Sequence, residues 1–252
     1  MPMSATHPTA AAGFARAADA YERGRPGYPR EALDHLVAEL GLWDGTTVLD
    51  LAAGTGKLTR TLRATGATVI AVEPVEAMRR VLRQAVPGVE VRDGTAESIP
   101  AADGALDAVT VAQAFHWFDA GPALAEIHRV LRPGGGLGLI WNMFDTSVDW
   151  VAALQALVHG YHRGEPQYGG SGWREELAAC GLFEPLSEHV SGHVQELSTA
   201  DLQARIGSTS YIAMLPGSER DLLFSEIRAL VADLPRPLHL PYRTDTFVTR
   251  RV

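Results

Sequence analysis

The chain has 252 residues, of which 46% are apolar and 21% charged, an ordinary balance for a globular protein with room for one large core or two smaller ones. Its formal net charge of −8 argues against a nucleic-acid backbone as the main partner, which would call for a basic face. A single cysteine, Cys180, excludes an internal disulfide, and no stretch approaches the ~20 apolar residues of a membrane span.

Residues 1–13 are rich in Ala, Thr and Pro and read as a mobile leader. The first twenty residues lack a basic start followed by an apolar run, so no secretory signal is expected and a cytoplasmic location follows by default. From Phe14 the chain starts as a short helix that breaks at Gly24 and Pro26. Leu33, Leu36, Val37 and Leu40 recur at spacings of three and four with Gly41 behind them, which predicts an amphipathic helix and its stop. A repeating pattern follows. Thr47–Leu51 is a short apolar run ending in a glycine loop, and Lys57–Ala64 is a helix. Thr68–Val72 is a second run, and Glu76–Ala85 a second helix with Met78, Val81 and Leu82 on one side. Within it Arg79-Arg80 is the nearest candidate for a basic patch and reads as a solvated helix face. Val89–Val91 is a weak third strand and Leu106–Ala112 a fourth. A helix carrying Leu124, Ile127, Val130 and Leu131 precedes a fifth run at Gly136–Trp141. Short apolar runs alternating with helices indicate βαβ units and a parallel sheet, in which ligands bind beyond the carboxyl ends of the strands.

After Asn142 the rhythm changes to helices and loops with aromatic clusters. Residues 186–197 and Leu238–Val252 alternate like strands and are expected as a terminal antiparallel pair at the sheet edge. Cys180, in Ala-Ala-Cys-Gly-Leu, reads as a small packed residue at a helix end. The expected fold is a single α/β domain over 14–252, a Rossmann-like seven-stranded sheet, mostly parallel, flanked by helices. An N-terminal lid (14–29) and an inserted cap (143–215) are expected over the site. Lys57 is the only lysine, an arginine bias that reads as the codon usage of a GC-rich bacterial genome.

The loop Asp50-Leu51-Ala52-Ala53-Gly54-Thr55-Gly56 is compatible with three ligands. A nucleoside-triphosphate loop needs Gly-x-x-x-x-Gly-Lys-Ser/Thr; Gly56-Lys57 fits, but leucine stands at positions 51 and 58. A nicotinamide loop needs a third small residue where Thr59 stands, and Asp50 would repel a pyrophosphate beside the helix start. S-adenosylmethionine carries an ammonium and no phosphate. Asp50 could accept from that ammonium directly or through water, and the small residues Ala52, Ala53 and Gly54 allow close backbone approach. Glu73, 23 positions on at the end of the second run, has the spacing of an acid that grips ribose hydroxyls.

Val48–Gly56, Ala71-Val-Glu-Pro74, Asp93-Gly-Thr-Ala-Glu97 and Leu131-Arg-Pro-Gly-Gly135 resemble the successive motifs of class I S-adenosylmethionine-dependent methyltransferases. Tyr21-Glu-Arg-Gly-Arg25-Pro-Gly-Tyr28-Pro29 and Gln113-Ala-Phe-His-Trp-Phe-Asp119 resemble a small-molecule branch that includes trans-aconitate methyltransferase-like enzymes. The resemblance implies cofactor contacts at Asp50, Ala52, Ala53, Gly54, Thr55, Gly56, Glu73, Pro74 and Met78. It further implies that Gly94, Thr95 and Ala96 line the adenine, that Gln113 and Ala114 lie beside the methionine part, and that Tyr21 and Arg25 close over the cofactor. Arg25 or Tyr21 could meet the cofactor carboxylate, or both could only shape the turn before Pro26. Two positions depart from the pattern. Ala52 stands where many relatives have glycine, which is tolerable unless φ there is positive. Thr95 stands where many place an aspartate for the adenine amino group.

The implied activity is methyl transfer to a small, partly apolar molecule, with a carboxylate oxygen ranked first by analogy. Hydroxyl or amine methylation, cofactor binding without transfer, and a nicotinamide oxidoreductase stay open. A carboxylate acceptor is already ionised and needs no base, whereas an alcohol or phenol usually does. His116 could be that base, could hydrogen-bond an acceptor carboxylate, or could be a packed residue under Trp117; the other histidines read as surface or packing residues. Phe115, Trp117 and Phe118 are expected as an apolar wall of the acceptor pocket. Arg205 and Tyr211 belong to a polar cluster in the cap, where Arg205 could pair with an acidic acceptor or, by default, form an exposed salt bridge. No metal site, nucleic-acid partner or membrane contact is expected, and the chain should be a monomer or homodimer.

Overall fold

The Val, Leu and Ile runs of the first half become central strands, because strands covered on both faces need no polar alternation. A computed structural model describes residues 22, 24–169 and 172–252. Helix α1 (Arg30–Leu40) ends at Gly41, whose φ of +64° lets its N–H turn back to the carbonyls of Val37 and Ala38. Strands β1 (Thr47–Leu51), β2 (Thr68–Val72), β3 (Glu90–Arg92) and β4 (Leu106–Ala112) and helices α2 (Lys57–Arg63), α3 (Glu76–Ala85) and α4 (Ala120–Val130) follow in the order β1-α2-β2-α3-β3-β4-α4. Beyond them lie β5 (Leu131–Phe144), α5 (Asp149–His159), α6 (Trp173–Ala179), β6 (Ser187–Leu197), α7 (Thr199–Gly207), α8 (Ser210–Ala213), α9 (Gly217–Leu230) and β7 (Leu238–Arg250).

The seven strands form one sheet in the order β3-β2-β1-β4-β5-β7-β6. β1 to β5 are parallel, and β7 runs antiparallel to both β5 and β6. The edge pair read from the alternation at 186–197 and 238–252 is therefore present. β5 is longer than the apolar run Gly136–Trp141. Its start pairs Leu131 with Leu106, and its end pairs Phe144 with Tyr242. Strand order reverses between β1 and β4, which opens a crevice at their carboxyl ends.

One face of the sheet packs Leu49, Leu51, Val109 and Val111 against α4 and α6; the other packs Val48, Ala108 and Ile140 against α1 and α2. A second apolar core joins α5, α7, α8 and α9 to the start of β7 through Val151, Leu154, Ile206, Ile212, Leu223, Ile227 and Leu240. This helical layer continues past residue 215 to Val231, and β6 interrupts it as a sheet strand. Cys180 caps α6, with its Sγ donating to Leu177 O at 3.1 Å. Among the described residues no helix is long and apolar enough to cross a membrane.

Candidate active site

β1 ends in a loop bent by three left-handed residues: Ala52 (φ +54°), Gly54 (φ +58°) and Gly56 (φ +86°). A Cβ added at Gly54 would meet nothing within 4 Å, while one at Gly56 would come within 3.0 Å of Val86 Cγ2. Gly54 thus presents bare backbone to open space, and Gly56 is glycine because α2 packs against α3 there. Ala52 does take the positive φ that an L-residue resists, so the alanine is a strained choice.

The pleat sets Asp50 on the same side as Val48, toward α2. It is fully buried, and its oxygens accept from Thr59 Oγ1 at 2.6 Å and Thr110 Oγ1 at 3.3 Å. Asp50 therefore braces the loop from beneath, and its carboxylate does not line the cleft. Burial pushes its carboxyl up to about 6, against the pull of the two hydroxyls.

Glu73 sits where β2 ends, beside the loop. Its oxygens accept from Gly54 N–H at 2.9 Å and Val75 N–H at 2.8 Å. Burial pushes it up to about 7; the amide bonds and Arg79 oppose that rise, and Asp50 adds to it. Arg79 is not part of a solvated basic face. It is 7% exposed and donates to Glu73 O, Glu76 and Asp93, tying the ends of β2 and β3 together. Pro74 follows half-buried, and Met78 is buried against Val81. At the next strand end a Cβ on Gly94 would strike Pro100 Cδ at 2.6 Å. Thr95 Oγ1 is buried with no hydrogen-bond partner, and Ala96 lies in the main core. A cofactor with hydroxyls for Glu73, a polar ring substituent for Thr95 and a slim tail over Gly54 fits this set.

Tyr21 lies outside the described residues, as do the proposed leader and most of the proposed lid. Glu22 clasps the loop: its Oε2 accepts from Thr55 Oγ1 at 2.6 Å, its carbonyl accepts from Lys57 Nζ at 2.7 Å, and Arg60 pairs with Oε1. Arg25 Nε donates to Ser208 Oγ at 3.4 Å, and Gly27 O accepts from Asn142 Nδ2 at 2.9 Å. Glu22 thus holds the glycine loop, while Arg25 and Gly27 reach the helical layer and the end of β5. Arg25, Ala52, Ala53, Gly54, Thr55 and Gln113 line one pocket.

A second, wider pocket opens beyond Arg25 and Gln113 toward the helical layer. Gln113 holds a φ of +59° at the end of β4 and donates from Nε2 to Asn142 O at 3.3 Å. The 3₁₀ turn Phe115–Trp117 rotates successive side chains apart. His116 and Trp117 consequently face the cleft, while Phe115 points into the core against Phe118 and Trp173. Phe115 therefore backs the wall from the core side, and Phe118 and Ala114 pack half-buried against the same core. His116 Nδ1 accepts from Trp141 Nε1 at 3.3 Å. Burial lowers His116 to about 4, and the Arg25 charge adds to the shift.

Arg205 is no exposed salt bridge. It is 8% exposed, stacks over Phe144 at 5.0 Å and donates from Nε to Tyr242 Oη at 3.0 Å. Among the described residues no carboxylate pairs with it and its terminal nitrogens have no hydrogen-bond partner. Tyr211 lines the same cleft, its hydroxyl pushed up by burial and by Glu165. Sequence reasoning missed Trp141, Asn142, Phe144, Tyr168 and His159, which complete the wall. The available signal was that β5, like the other strands, must end at the crevice.

Residues 49–139 match the methyltransferase domain family. The chain is 40% identical over 236 residues to an uncharacterised methyltransferase of Mycobacterium tuberculosis, covering 92% of each protein. A malonyl-[acyl-carrier protein] O-methyltransferase of Pseudescherichia vulneris is 34% identical over 128 residues, 50% of this chain and 51% of that protein. A solved structure from Anaeromyxobacter dehalogenans, provisionally assigned as a type II methyltransferase, superposes with a TM-score of 0.65 at 25% identity, covering 90% of this chain and 96% of that one.

Proposed function

The chain belongs to the class I S-adenosylmethionine-dependent methyltransferases, and from that premise we propose that it methylates a carboxylate oxygen of a small, partly apolar acid. The carrying observation is Arg205: a buried guanidinium in the acceptor cleft with no carboxylate of its own among the described residues. A buried charge without a partner is costly, and an acidic acceptor supplies the partner. The aromatic rings of Trp117, Phe144, Tyr168 and Tyr211 favour an apolar body behind the acid. The malonyl O-methyltransferase is a relative whose name specifies transfer to oxygen.

S-adenosylmethionine supplies an electrophilic methyl group on a sulfonium. The chain's residues hold and orient. Glu73 would accept from ribose hydroxyls, Thr95 Oγ1 and the backbone at Gly94 would meet the adenine, and the loop from Ala52 to Gly56 would take the methionine part. Arg25 would meet the cofactor carboxylate from the N-terminal lid, and Gln113, which lines both pockets, would stand between cofactor and acceptor. The helices around Arg205 and Tyr211 form the cap. Holding donor and acceptor in line in such a cleft is worth about 7–11 kcal/mol in favourable systems.

The test is release of S-adenosylhomocysteine with a panel of alkyl and aryl carboxylic acids, phenols and amines, beside calorimetric titration of S-adenosylmethionine and NAD. Acids should be turned over to esters. Turnover confined to phenols or amines would end the carboxylate reading.

A further inference from the structure

We propose that Trp141 is a positioning residue that fixes His116 as an Nε2–H donor facing the methyl acceptor, so that His116 holds an acceptor oxygen and takes no proton from it. The inference rests on the acceptor-cleft reading above.

An indole N–H can only donate. Trp141 is fully buried, and its Nε1–H has one partner among the described residues, His116 Nδ1 at 3.3 Å. Nδ1 is therefore bare, and the ring proton sits on Nε2. The opposite tautomer would set two N–H groups face to face and orphan a buried indole. Trp141 cannot swing aside to accommodate it. It stacks on Trp173 at 5.1 Å, leans on Tyr168 at 4.8 Å and meets Phe247 edge-on at 5.9 Å. A base at this position would need a bare Nε2, which this arrangement withholds.

The charged and titratable groups facing the same cleft are Arg25 from the N-terminal segment, Arg205 from α7, Tyr211 from α8, His159 from α5 and Tyr168. Burial, and after it the Arg25 charge, hold the imidazole below its ordinary range, so the ring stays neutral as well as oriented. A neutral N–H suits an acceptor that is already ionised. It gives nothing to an alcohol that must lose a proton.

Nitrogen-15 NMR of histidine-labelled protein reads the tautomer without any acceptor, with His116→Gln identifying the signal. Wild-type His116 should show a protonated Nε2 and a bare Nδ1 throughout about pH 5 to 8. A protonated Nδ1, or titration near ~6.5, would overturn the proposal. In Trp141→Phe the same signal should move toward mixed tautomers; an unchanged signal removes Trp141 from the account. For acids turned over in the panel, His116→Ala and His116→Asn should raise KM ~10-fold or more. His116→Gln, whose amide nitrogen reaches the place of Nε2, should recover part of that loss, and equal loss in Gln and Asn would exclude the donor role. If no acid is turned over, the carboxylate reading fails by itself, and the NMR result still decides the tautomer.

Discussion

Replacing Glu73 by glutamine separates what the fold requires from what the cofactor requires. Burial moves the Glu73 carboxyl from an ordinary 4.5 up to about 7. Below the lower value both folded and unfolded chains hold the proton, and the folded state has its full stability. As pH rises toward the upper value the unfolded chain gives up its proton first. The folded state then binds more protons than the unfolded one, and stability falls with pH. At about 1.4 kcal/mol per unit, the whole rise costs about 3 kcal/mol, and about 2.5 kcal/mol of it falls between about pH 5 and 8. Glutamine carries no charge and escapes this loss. It also has one carbonyl oxygen for two amides, so its NH₂ must face Gly54 N–H or Val75 N–H. That penalty of about 1–3 kcal/mol is the same at every pH.

The measurable quantity is thus a difference of differences. Urea unfolding of wild type and Glu73→Gln should show the variant gaining on the wild type by about 2.5 kcal/mol from about pH 5 to 8. A gap that stays flat with pH would refute the burial argument. Ribose hydroxyls donate to an ionised carboxylate and so favour it. Calorimetry should therefore find wild-type affinity for S-adenosylmethionine rising with pH toward 7 and levelling above it, and the variant weaker with no such rise.

Ala52→Gly should stabilise the protein by up to about 1 kcal/mol, because the left-handed conformation costs an L-residue about 1–2 kcal/mol and glycine's extra freedom when unfolded offsets part of that; a lower melting temperature would show that residue 52 does not need positive φ in solution. Glu22→Gln should change stability by less than about 1 kcal/mol yet speed cofactor dissociation in stopped-flow, since Glu22 joins Thr55, Lys57 and Arg60 to the N-terminal segment; an unchanged off-rate would exclude it as a clasp. Arg205→Met should raise KM for the acid by ~10–100-fold with cofactor affinity intact and kcat little reduced. Loss of kcat at constant KM would place Arg205 in the transition state instead.

The strand ends were legible because they are local. The runs at 47–51, 68–72 and 106–112 and the helix 76–85 coincide with the observed elements, since buried parallel strands and an amphipathic helix announce themselves by period alone. Glu73 was legible for the same reason, as an acid at a strand end. Asp50 was legible as important, but its pleat parity decides which side it serves, and that parity follows from where α2 packs. Phe115 and Phe118 looked like pocket wall because four aromatic or near-aromatic residues stand in a row; the short 3₁₀ turn sorts them to opposite sides. Arg205 looked exposed because nothing within α7 covers it. Its cover comes from Phe144 and Tyr242 on β5 and β7, residues 61 and 37 positions away in the chain. The bond from Trp141 to His116 spans 25 positions and has no local signature.

On the carboxylate reading, charge accounts for the make-up of the cleft. The chain carries a net −8, and at long range that repels an acid, though screening confines the repulsion to about a Debye length of 8–10 Å. On the proposed reading, an acid drawn into the cleft meets a positive charge that solvent screens only weakly, because Arg205 is 8% exposed. On the proposed reaction the carboxylate loses its charge as the ester forms, so the hold of Arg205 weakens from bound acid to transition state. That residue must then serve binding more than rate, and the same weakening helps the neutral ester leave. His116 answers the other half of the problem. A further full cation beside Arg25 and Arg205 would stabilise the bound acid further and deepen the well from which the reaction must climb. A neutral N–H orients the oxygen at smaller cost to the barrier. Burial of the ring, and after it the Arg25 charge, keep His116 in that neutral state.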